Sequence, residues 1–216
     1  MSTVRILIAD DHELIRRGLR ALLEAQKGWE VCAEAADGRQ AVEQARQTKP
    51  DVVVMDISMP ELNGLEATRQ IHKLISSAEI LILTMHDSEQ IVREVLEAGA
   101  HGYILKSDAG RDMVAGVESL CRHKPFFTSH VARMVLNGFL KTDKKNKEGE
   151  SDILSPRERE LVQFIAEGKS NKEMADLLKI SIKTVETHRT NLMRKLDLHT
   201  ISDLVRYAVR NKIVDA

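Results

Sequence analysis

The chain has 216 residues, enough for one large domain or two small ones. Its 32 lysines and arginines are balanced by 33 aspartates and glutamates, so the net charge of -1 excludes a uniformly basic protein, and a nucleic-acid site must be local. No apolar run approaches the roughly 18 residues of a membrane span. No signal peptide precedes the first strand-like segment, and Cys32 and Cys121 are expected to be reduced, buried thiols, so we expect a cytoplasmic protein.

Up to about residue 124, strand-like and helix-like segments alternate. The predicted strands are Val4–Ala9, Trp29–Ala36, Asp51–Asp56, Glu79–Thr84 and Gly102–Leu105. The predicted helices are His12–Gln26, Arg39–Gln47, Leu62–Leu74, Ser88–Ala98 and Asp108–Arg122. Five such repeats predict an α/β fold with a doubly wound, five-stranded parallel sheet of order 2-1-3-4-5, covered by helices on both faces.

The alternation ends after Pro125. Ser129–Leu140 could form one more helix, and Lys141–Glu150 is charged and lacks any apolar residue, which predicts a flexible linker. Beyond it, Ser155–Glu158 and Ser170–Glu173 have the pattern of capping boxes that begin helices. We therefore predict a first domain at 1–124, a connecting helix and charged linker at 125–153, and a small all-α four-helix domain at 154–216.

Carboxylates stand at the ends of two strands that are neighbours in the predicted sheet. Asp10 and Asp11 close the first strand, and Asp56 closes the third. Because parallel strands gather their carboxyl ends at one edge, the three side chains should converge there. Crowded carboxylates repel one another unless a cation lies among them, and oxygen ligands with open positions suit Mg²⁺.

Two further strand ends carry a hydroxyl and an ammonium, those of Thr84 and Lys106. Opposite a carboxylate–metal cluster, such donors form a site for a phosphoryl group, with Asp56 as the nucleophile. Each residue alone has an ordinary explanation: Asp10 and Asp11 as a solvated helix cap, Lys106 as a surface lysine and Thr84 as a strand residue. Their conjunction at successive strand ends favours the phosphoryl site.

This pattern resembles the receiver domain of two-component response regulators, through Asp10-Asp11, Asp56-x-x-Met59-Pro60-x-x-x-Gly64, Thr84 and Lys106. The resemblance implies that Asp56 accepts a phosphoryl group from a sensor histidine kinase. It implies Mg²⁺ ligation by Asp11, Asp56 and the backbone carbonyl of Ser58, with help from Asp10. Weak autophosphorylation from small phosphodonors and slow autodephosphorylation would be its only enzymatic activities.

The resemblance also implies a switch. Tyr103 matches the aromatic residue that turns inward when Thr84 moves to the phosphoryl group, and the alternative is a half-buried strand tyrosine. Many receivers place a proline after the lysine, where this chain has Ser107. That departure concerns the local peptide geometry rather than the chemistry.

Two other classes of protein share parts of this pattern. A phosphatase of the haloacid dehalogenase type also uses a strand-end aspartate and Mg²⁺, but it needs a second aspartate two residues later, where this chain has Ser58. The second class is a binding module that binds DNA constitutively and whose receiver no longer accepts phosphate. The intact acidic residues, Thr84 and Lys106 argue against that second class without excluding it.

The segment after Ser181 predicts a long amphipathic helix. Val185, Leu192 and Leu196 give it one apolar side. Its other side can face a DNA major groove, or it is the solvated face of a helical interaction module. The residues of that other side are Lys183, Glu186, Thr187, Thr190, Arg194 and Lys195.

Leu154–Ile213 resembles the LuxR-type (NarL/FixJ) helix-turn-helix domain, through Leu154–Glu160, Gly168–Ala175 and Thr184–His188. The resemblance implies a homodimer that binds double-stranded promoter DNA, with no membrane partner. The implied DNA-binding residues are Glu186, Thr187 and Thr190 near base edges, Lys183, Arg189, Arg194 and Lys195 at phosphates, and the adjoining Thr184 and His188, the latter packed or facing a phosphate. The whole chain is thus expected to be a phosphorylation-activated transcription regulator.

Overall fold

The structure, a computed structural model, describes residues 3–129, 131–133, 154–211 and 213–214. By its internal contacts the chain divides into two compact units, Met1–Glu148 and Gly149–Ala216. Of the helix predicted at Ser129–Leu140, Ser129 and residues 131–133 are described, and these four are helical. The rest of that helix and the predicted linker Lys141–Glu150 lie outside the described residues.

The first unit alternates strands and helices. Its strands are β1 (Val4–Ala9), β2 (Trp29–Ala35), β3 (Val52–Asp56), β4 (Glu79–Thr84), β5 (Gly102–Leu105) and β6 (Phe126–Phe127). Its helices are α1 (Glu13–Glu24), α2 (Gly38–Thr48), α3 (Gly64–Leu74), α4 (Glu89–Glu97) and α5 (Ala109–Leu120). A 3₁₀ turn, Lys106–Asp108, joins β5 to α5.

All neighbouring strands of the sheet are parallel, in the order β2-β1-β3-β4-β5-β6. The predicted doubly wound order is confirmed, and the count of five is corrected to six by β6 at the β5 edge. The two residues of β6 are too few to show a periodic pattern. They join the sheet because the chain returns alongside β5, where the Phe126 N–H donates to the His101 carbonyl at 3.0 Å.

The core lies in two layers, because successive side chains of a strand point to opposite faces of the sheet. All five residues of β3 are buried, as expected for a central strand covered on both faces. Helices α2, α3 and α4 cover the face that includes Leu7, Val53 and Ile80. Helices α1 and α5 cover the opposite face, which includes Ile6 and Val54. This scaffold leaves the carboxyl ends of the strands at one open edge.

The second unit is a four-helix domain around its own apolar core. Its helices are α6 (Pro156–Ala166), α7 (Asn171–Leu178), α8 (Ile182–Lys195) and α9 (Ile201–Arg210). The capping boxes predicted at Ser155 and Ser170 are confirmed, and a third begins α9 at Thr200. Phe164, Val185 and other apolar side chains of these helices are fully buried together. Across the described residues of both units, no helix is long and apolar enough to cross a membrane.

Gly64 is required at the start of α3 by the path of the preceding loop. Its backbone N–H donates to the Ile57 carbonyl at 2.8 Å, which folds the loop back under the end of β3. A Cβ at this position would lie 1.8 Å from the Asp56 carbonyl oxygen. Asn63 accepts from the Glu66 N–H and caps α3. The loop therefore fixes the backbone that carries Asp56.

We expect Gly64→Ala to lower the free energy of unfolding of the first unit by about 2–3 kcal/mol, because the clash involves backbone that cannot rotate away. The matched control is Gly18→Ala, since a Cβ at Gly18 meets nothing within 4 Å and Gly18 lies within α1. This control should gain about 1 kcal/mol from helix propensity. Urea unfolding followed by the fluorescence of Trp29, the single tryptophan, reports on the first unit. Equal stability of the two variants would contradict the close approach.

Candidate functional site

Four strand ends bring chemically active side chains to the carboxyl edge of the sheet. Asp10 directly follows β1, Asp56 ends β3, Thr84 ends β4 and Lys106 directly follows β5. The side chains of Asp10, Asp56 and Thr84 are buried. We call Asp10, Asp11, Asp56 and Lys106 the acidic pocket. The structure thus brings together the residues that the sequence predicts at successive strand ends.

The ammonium of Lys106 lies between two buried carboxylates. Its Nζ is 2.7 Å from Asp56 Oδ2, to which it donates a hydrogen bond, and 2.8 Å from Asp10 Oδ2. Only 9% of the lysine side chain is exposed. Burial alone would lower the pKa of Lys106, but the hydrogen bonds and charges of the two carboxylates raise it above its usual value. The amine therefore carries a positive charge throughout the physiological pH range.

Burial raises the pKa of Asp56 from 3.8 to about 6. Lys106 and a backbone hydrogen bond from Ser58 oppose this rise, whereas the negative charge of Asp10 adds to it. Asp56 is only 2% exposed, so desolvation is the largest influence. Its carboxylate is thus poorly stabilised by the protein alone and gains from any further cation.

The donor set of the acidic pocket fits a hard divalent cation. One potential ligand atom from each of Asp10, Asp11, His12 and Asp56 lies within 4.8 Å of the others. Asp10 Oδ2 is buried, and the Lys106 ammonium lies 2.8 Å from it. Three carboxylates face one ammonium, which leaves the pocket with an excess of negative charge. Oxygen-rich ligands of this kind suit Mg²⁺.

His12 lies beside the acidic pocket, and the sequence did not predict its contacts there. Its Nδ1 lies 2.7 Å from Asp11 Oδ1, and its backbone N–H donates to Asp10 Oδ1 at 2.8 Å. The only signal was its position directly after the two aspartates. Arg16 also contributes, because its guanidinium donates to the backbone carbonyl of Asp10 at 2.6 Å. These contacts fix the turn between β1 and α1.

His86 links Thr84 to Tyr103. The backbone N–H of His86 donates to Thr84 Oγ1 at 3.1 Å, and the Tyr103 hydroxyl donates to the His86 carbonyl at 2.5 Å. The His86 ring lies 3.2 Å from the hydroxyl of Ser58. Tyr103 is fully buried, so its ring lies inside the core, and burial raises the pKa of its phenol. Nothing in the sequence around His86 had pointed to this role.

Helix α8 presents the surface predicted to face DNA. Ser181 caps the helix by accepting from the Thr184 N–H at 3.0 Å, while Val185 and Leu192 anchor its other side in the core. Thr184 and Arg189 are partly buried. The predicted contact residues that are exposed are Lys183, Glu186, Thr187, His188, Thr190, Arg194 and Lys195. His188 is therefore solvent-facing rather than packed.

Several charged side chains of α8 contact polar or charged side chains nearby. Lys195 Nζ lies 2.7 Å from Glu158 of α6, and Lys183 Nζ lies 3.3 Å from Glu186 on the same helix. The Arg189 guanidinium donates to the Asn171 side chain at the start of α7. Arg189 thereby ties α8 to α7, which fixes the angle at which the exposed face of α8 is presented.

The two units match two known families. Residues 6–118 match the response regulator receiver domain, and residues 152–208 match the family of bacterial regulatory proteins, luxR family. The chain therefore belongs to the response regulators that combine a receiver domain with a luxR-type helix-turn-helix domain.

Particular relatives align along nearly the whole chain. The oxygen regulatory protein NreC of Staphylococcus haemolyticus is 39% identical over 216 residues, covering 98% of this chain and 100% of NreC. The transcriptional regulatory protein LiaR of Bacillus subtilis is 40% identical over 212 residues, with the same two coverages. Among solved structures, the complex of the response regulator RcsB with DNA is 29% identical with a TM-score of 0.59. That alignment covers 95% of this chain and 98% of RcsB.

The raised pKa of Asp56 predicts a pH-dependent stability. Because the folded-state pKa of about 6 exceeds the ordinary 3.8, the folded protein binds the proton more tightly. Stability should therefore be lost as the pH rises from about 4 through about 6. In metal-free protein we expect Asp56→Asn to raise the free energy of unfolding by about 3 kcal/mol at pH 8 and by about half of that at pH 5.

Urea unfolding in EDTA, followed by Trp29 fluorescence at both pH values, measures this difference. The matched control is Glu30→Gln, which removes an exposed carboxylate from β2 of the same unit and should show little dependence on pH. A loss of stability in Asp56→Asn at pH 8 would mean that the attraction of Lys106 outweighs the burial of the charge.

Proposed function

We propose that the chain is a phosphorylation-activated, DNA-binding transcription regulator, and that Asp56 accepts the phosphoryl group from a sensor histidine kinase. The observation that carries this proposal is the buried ammonium of Lys106 between Asp56 and Asp10 at the carboxyl edge of the sheet. That arrangement occurs in the same chain as a luxR-family domain. The relatives NreC and LiaR are named as regulatory proteins, which supports the same function.

In the proposed reaction, a carboxylate oxygen of Asp56 forms a bond to phosphorus as the phosphorus–nitrogen bond of the kinase phosphohistidine breaks. The released imidazole nitrogen takes up a proton from water. The Lys106 ammonium and the Thr84 hydroxyl then bind oxygens of the transferred group. The same pocket would react slowly with small phosphodonors and with water, which gives weak autophosphorylation and autodephosphorylation rather than a metabolic enzyme activity.

Asp11, Asp56 and the backbone carbonyl of Ser58, with help from Asp10, would hold Mg²⁺ in this pocket. When bound, Mg²⁺ offsets the negative charge of the carboxylates and of the incoming phosphoryl group. The convergence of carboxylate oxygens and their excess over the single ammonium support this assignment.

The contacts of His86 indicate how phosphorylation of Asp56 would change the structure outside the acidic pocket. If the Thr84 hydroxyl moves to a phosphoryl oxygen, it gives up the hydrogen bond from the His86 N–H. The Tyr103 hydroxyl donates a hydrogen bond to the His86 carbonyl. A movement of the His86 backbone therefore changes the hydrogen bonding of the buried Tyr103 side chain. We infer that phosphorylation thereby biases the surface around β4, α4 and β5 between two arrangements.

The C-terminal unit would bind the major groove of promoter DNA with the exposed face of α8. We assign base-edge contacts to Glu186, Thr187 and Thr190, and contacts to phosphates mostly to the basic residues of this face. The DNA complex of RcsB supports DNA binding by this class of chain. The full assigned set is Lys183, Thr184, Glu186, Thr187, His188, Arg189, Thr190, Arg194 and Lys195.

A homodimer is proposed as the active form, because a single small domain buries too little surface for tight specific binding. We assign residues 1–124 to the receiver domain, 125–153 to the connecting region and 154–216 to the DNA-binding domain. Cytoplasmic localisation follows from these proposed partners, a kinase phosphodonor and promoter DNA.

Incubation with acetyl phosphate and Mg²⁺ should add one phosphoryl group to the full-length protein, measured as intact mass. Asp56→Asn should show no added mass, because it lacks the nucleophile. The matched control is Asp51→Asn, which changes an exposed aspartate directly before the same strand and should still be modified.

An adduct on Asp56→Asn would place the acceptor elsewhere. If the wild type shows no adduct, beryllofluoride binding separates a short-lived acyl phosphate from a receiver that no longer switches. Failure of that mimic as well would favour the constitutive DNA-binding module.

Arg194→Ala should weaken DNA binding nearly equally across sequences and reduce the slope of log affinity against log salt by about 1, since it removes one phosphate contact. Thr187→Ala should instead change sequence preference with little effect on that slope. Fluorescence anisotropy at several salt concentrations measures both. Lys27→Ala, an exposed change in the first unit, is the charge-matched control. An unchanged salt slope in Arg194→Ala would contradict the assigned phosphate contact.

A further inference from the structure

Three histidines and a glutamate lie at the amino edge of the sheet, at the opposite ends of the strands from the acidic pocket. Glu79 begins β4, and His101 directly precedes β5. His72 is in the last turn of α3, and His123 follows α5. We call these four residues the histidine cluster. None of them takes part in the proposed phosphoryl chemistry.

Two imidazoles contact the one carboxylate of this cluster. His123 Nδ1 lies 2.7 Å from Glu79 Oε1, and His101 Nδ1 lies 3.0 Å from Glu79 Oε2. The glutamate side chain is only 13% exposed, so this charge is largely removed from water. Backbone hydrogen bonds of 2.9 Å hold both strands at this point, from the Glu79 N–H to Asp51 and from the His101 N–H to Ile80.

Two buried ring nitrogens in this cluster have no aligned hydrogen bond within the described part of the chain. They are Nδ1 of His72 and Nδ1 of His101, the latter despite its closeness to Glu79. The two rings are 6.0 Å apart between centroids. Because His101 Nδ1 has the Glu79 carboxylate as its partner and buried polar atoms are nearly always paired, it is the unpaired Nδ1 of His72 that indicates a missing polar partner.

We propose that Glu79, His101 and His123 form a binding site for a divalent transition-metal ion of the Zn²⁺ class. Two imidazoles and one carboxylate are a recurrent three-ligand set for zinc, with the fourth position open to water. A tetrahedral ion about 2.0–2.1 Å from its ligands separates them by about 3.3 Å. The nitrogen–oxygen distances to Glu79, 3.0 Å for His101 and 2.7 Å for His123, are slightly shorter than that value.

One adjustment is needed for all three ligands to meet. His101 and His123 contact opposite oxygens of the carboxylate, so one ring must rotate toward the other. The His123 side chain is 79% exposed, and it can rotate at little cost. His72 is a third imidazole near this site, with its ring centroid 6.0 Å from that of His101.

The two metal sites of the first unit would select different ions. The acidic pocket offers carboxylate oxygens, which suit Mg²⁺, whereas the histidine cluster is dominated by imidazole nitrogen, which suits zinc and similar ions. Binding at the cluster would join the starts of β4 and β5 to the end of α5. A ligand that binds only the folded form stabilises it, so zinc should protect the first unit from unfolding.

The test is a Zn²⁺ titration of untagged, full-length protein in a large excess of Mg²⁺, with a chromophoric chelator as competitor. The wild type should bind one Zn²⁺ tightly. Glu79→Gln and His101→Asn should each raise the dissociation constant by about 10-fold or more, since each removes a direct ligand. His123→Asn should do the same, and because this side chain is exposed its loss cannot disturb the core. Co²⁺ in place of Zn²⁺ should give a visible spectrum of nitrogen ligation.

The controls separate this site from others in the chain. Asp11→Asn disables the acidic pocket and should leave zinc affinity unchanged, as should His199→Asn, which changes an exposed histidine of the second unit. Retained Mg²⁺ affinity shows that the cluster variants remain folded. Absence of tight Zn²⁺ binding by the wild type, or loss of binding in Asp11→Asn alone, would overturn the proposal. Unchanged affinity in both Glu79→Gln and His123→Asn would overturn it equally.

Discussion

The ammonium of Lys106 is held 2.7 Å from Asp56 and 2.8 Å from Asp10, and this buried contact organises the carboxyl edge of the sheet. The central strand β3 is buried along its whole length and ends in the carboxylate of Asp56. One positive charge cannot balance the three carboxylates that converge there. Burial raises the pKa of Asp56 to about 6, and the excess of carboxylates creates the demand for a further cation.

A second set of contacts connects the carboxyl edge of the sheet to the buried core. Thr84, the backbone of His86 and the buried Tyr103 form a continuous series of hydrogen bonds. In the proposed function, a new negative group on Asp56 competes for the Thr84 hydroxyl and changes the balance of this series. The proposed DNA-binding face of α8 belongs to the other unit, so the proposed effect on DNA is a shift in the population of binding-competent protein.

The sequence predicted the features with strong local or periodic signals. The apolar strands and the capping boxes at Ser155 and Ser170 are confirmed, because each depends on residues close in the chain. The order of the sheet is confirmed because alternating strands and helices permit few strand connections. The two-residue β6 was missed, since it has no period to recognise. His12, His86 and the histidine cluster were also missed. The histidine cluster joins residues that only tertiary packing brings together, as in the pairing of Glu79 with His123. His12 contacts the two aspartates directly before it, but that spacing alone does not predict the contact.

The central claim is that phosphorylation of Asp56 controls DNA binding by α8. The most direct test measures the affinity of the full-length protein for a duplex selected from a random library, with Mg²⁺ alone and with Mg²⁺ plus beryllofluoride. The account predicts tighter binding and a shift to dimers with beryllofluoride in the wild type, and no change in Asp56→Asn. Equal affinity of the wild type in both conditions, with beryllofluoride shown to be bound, would contradict it.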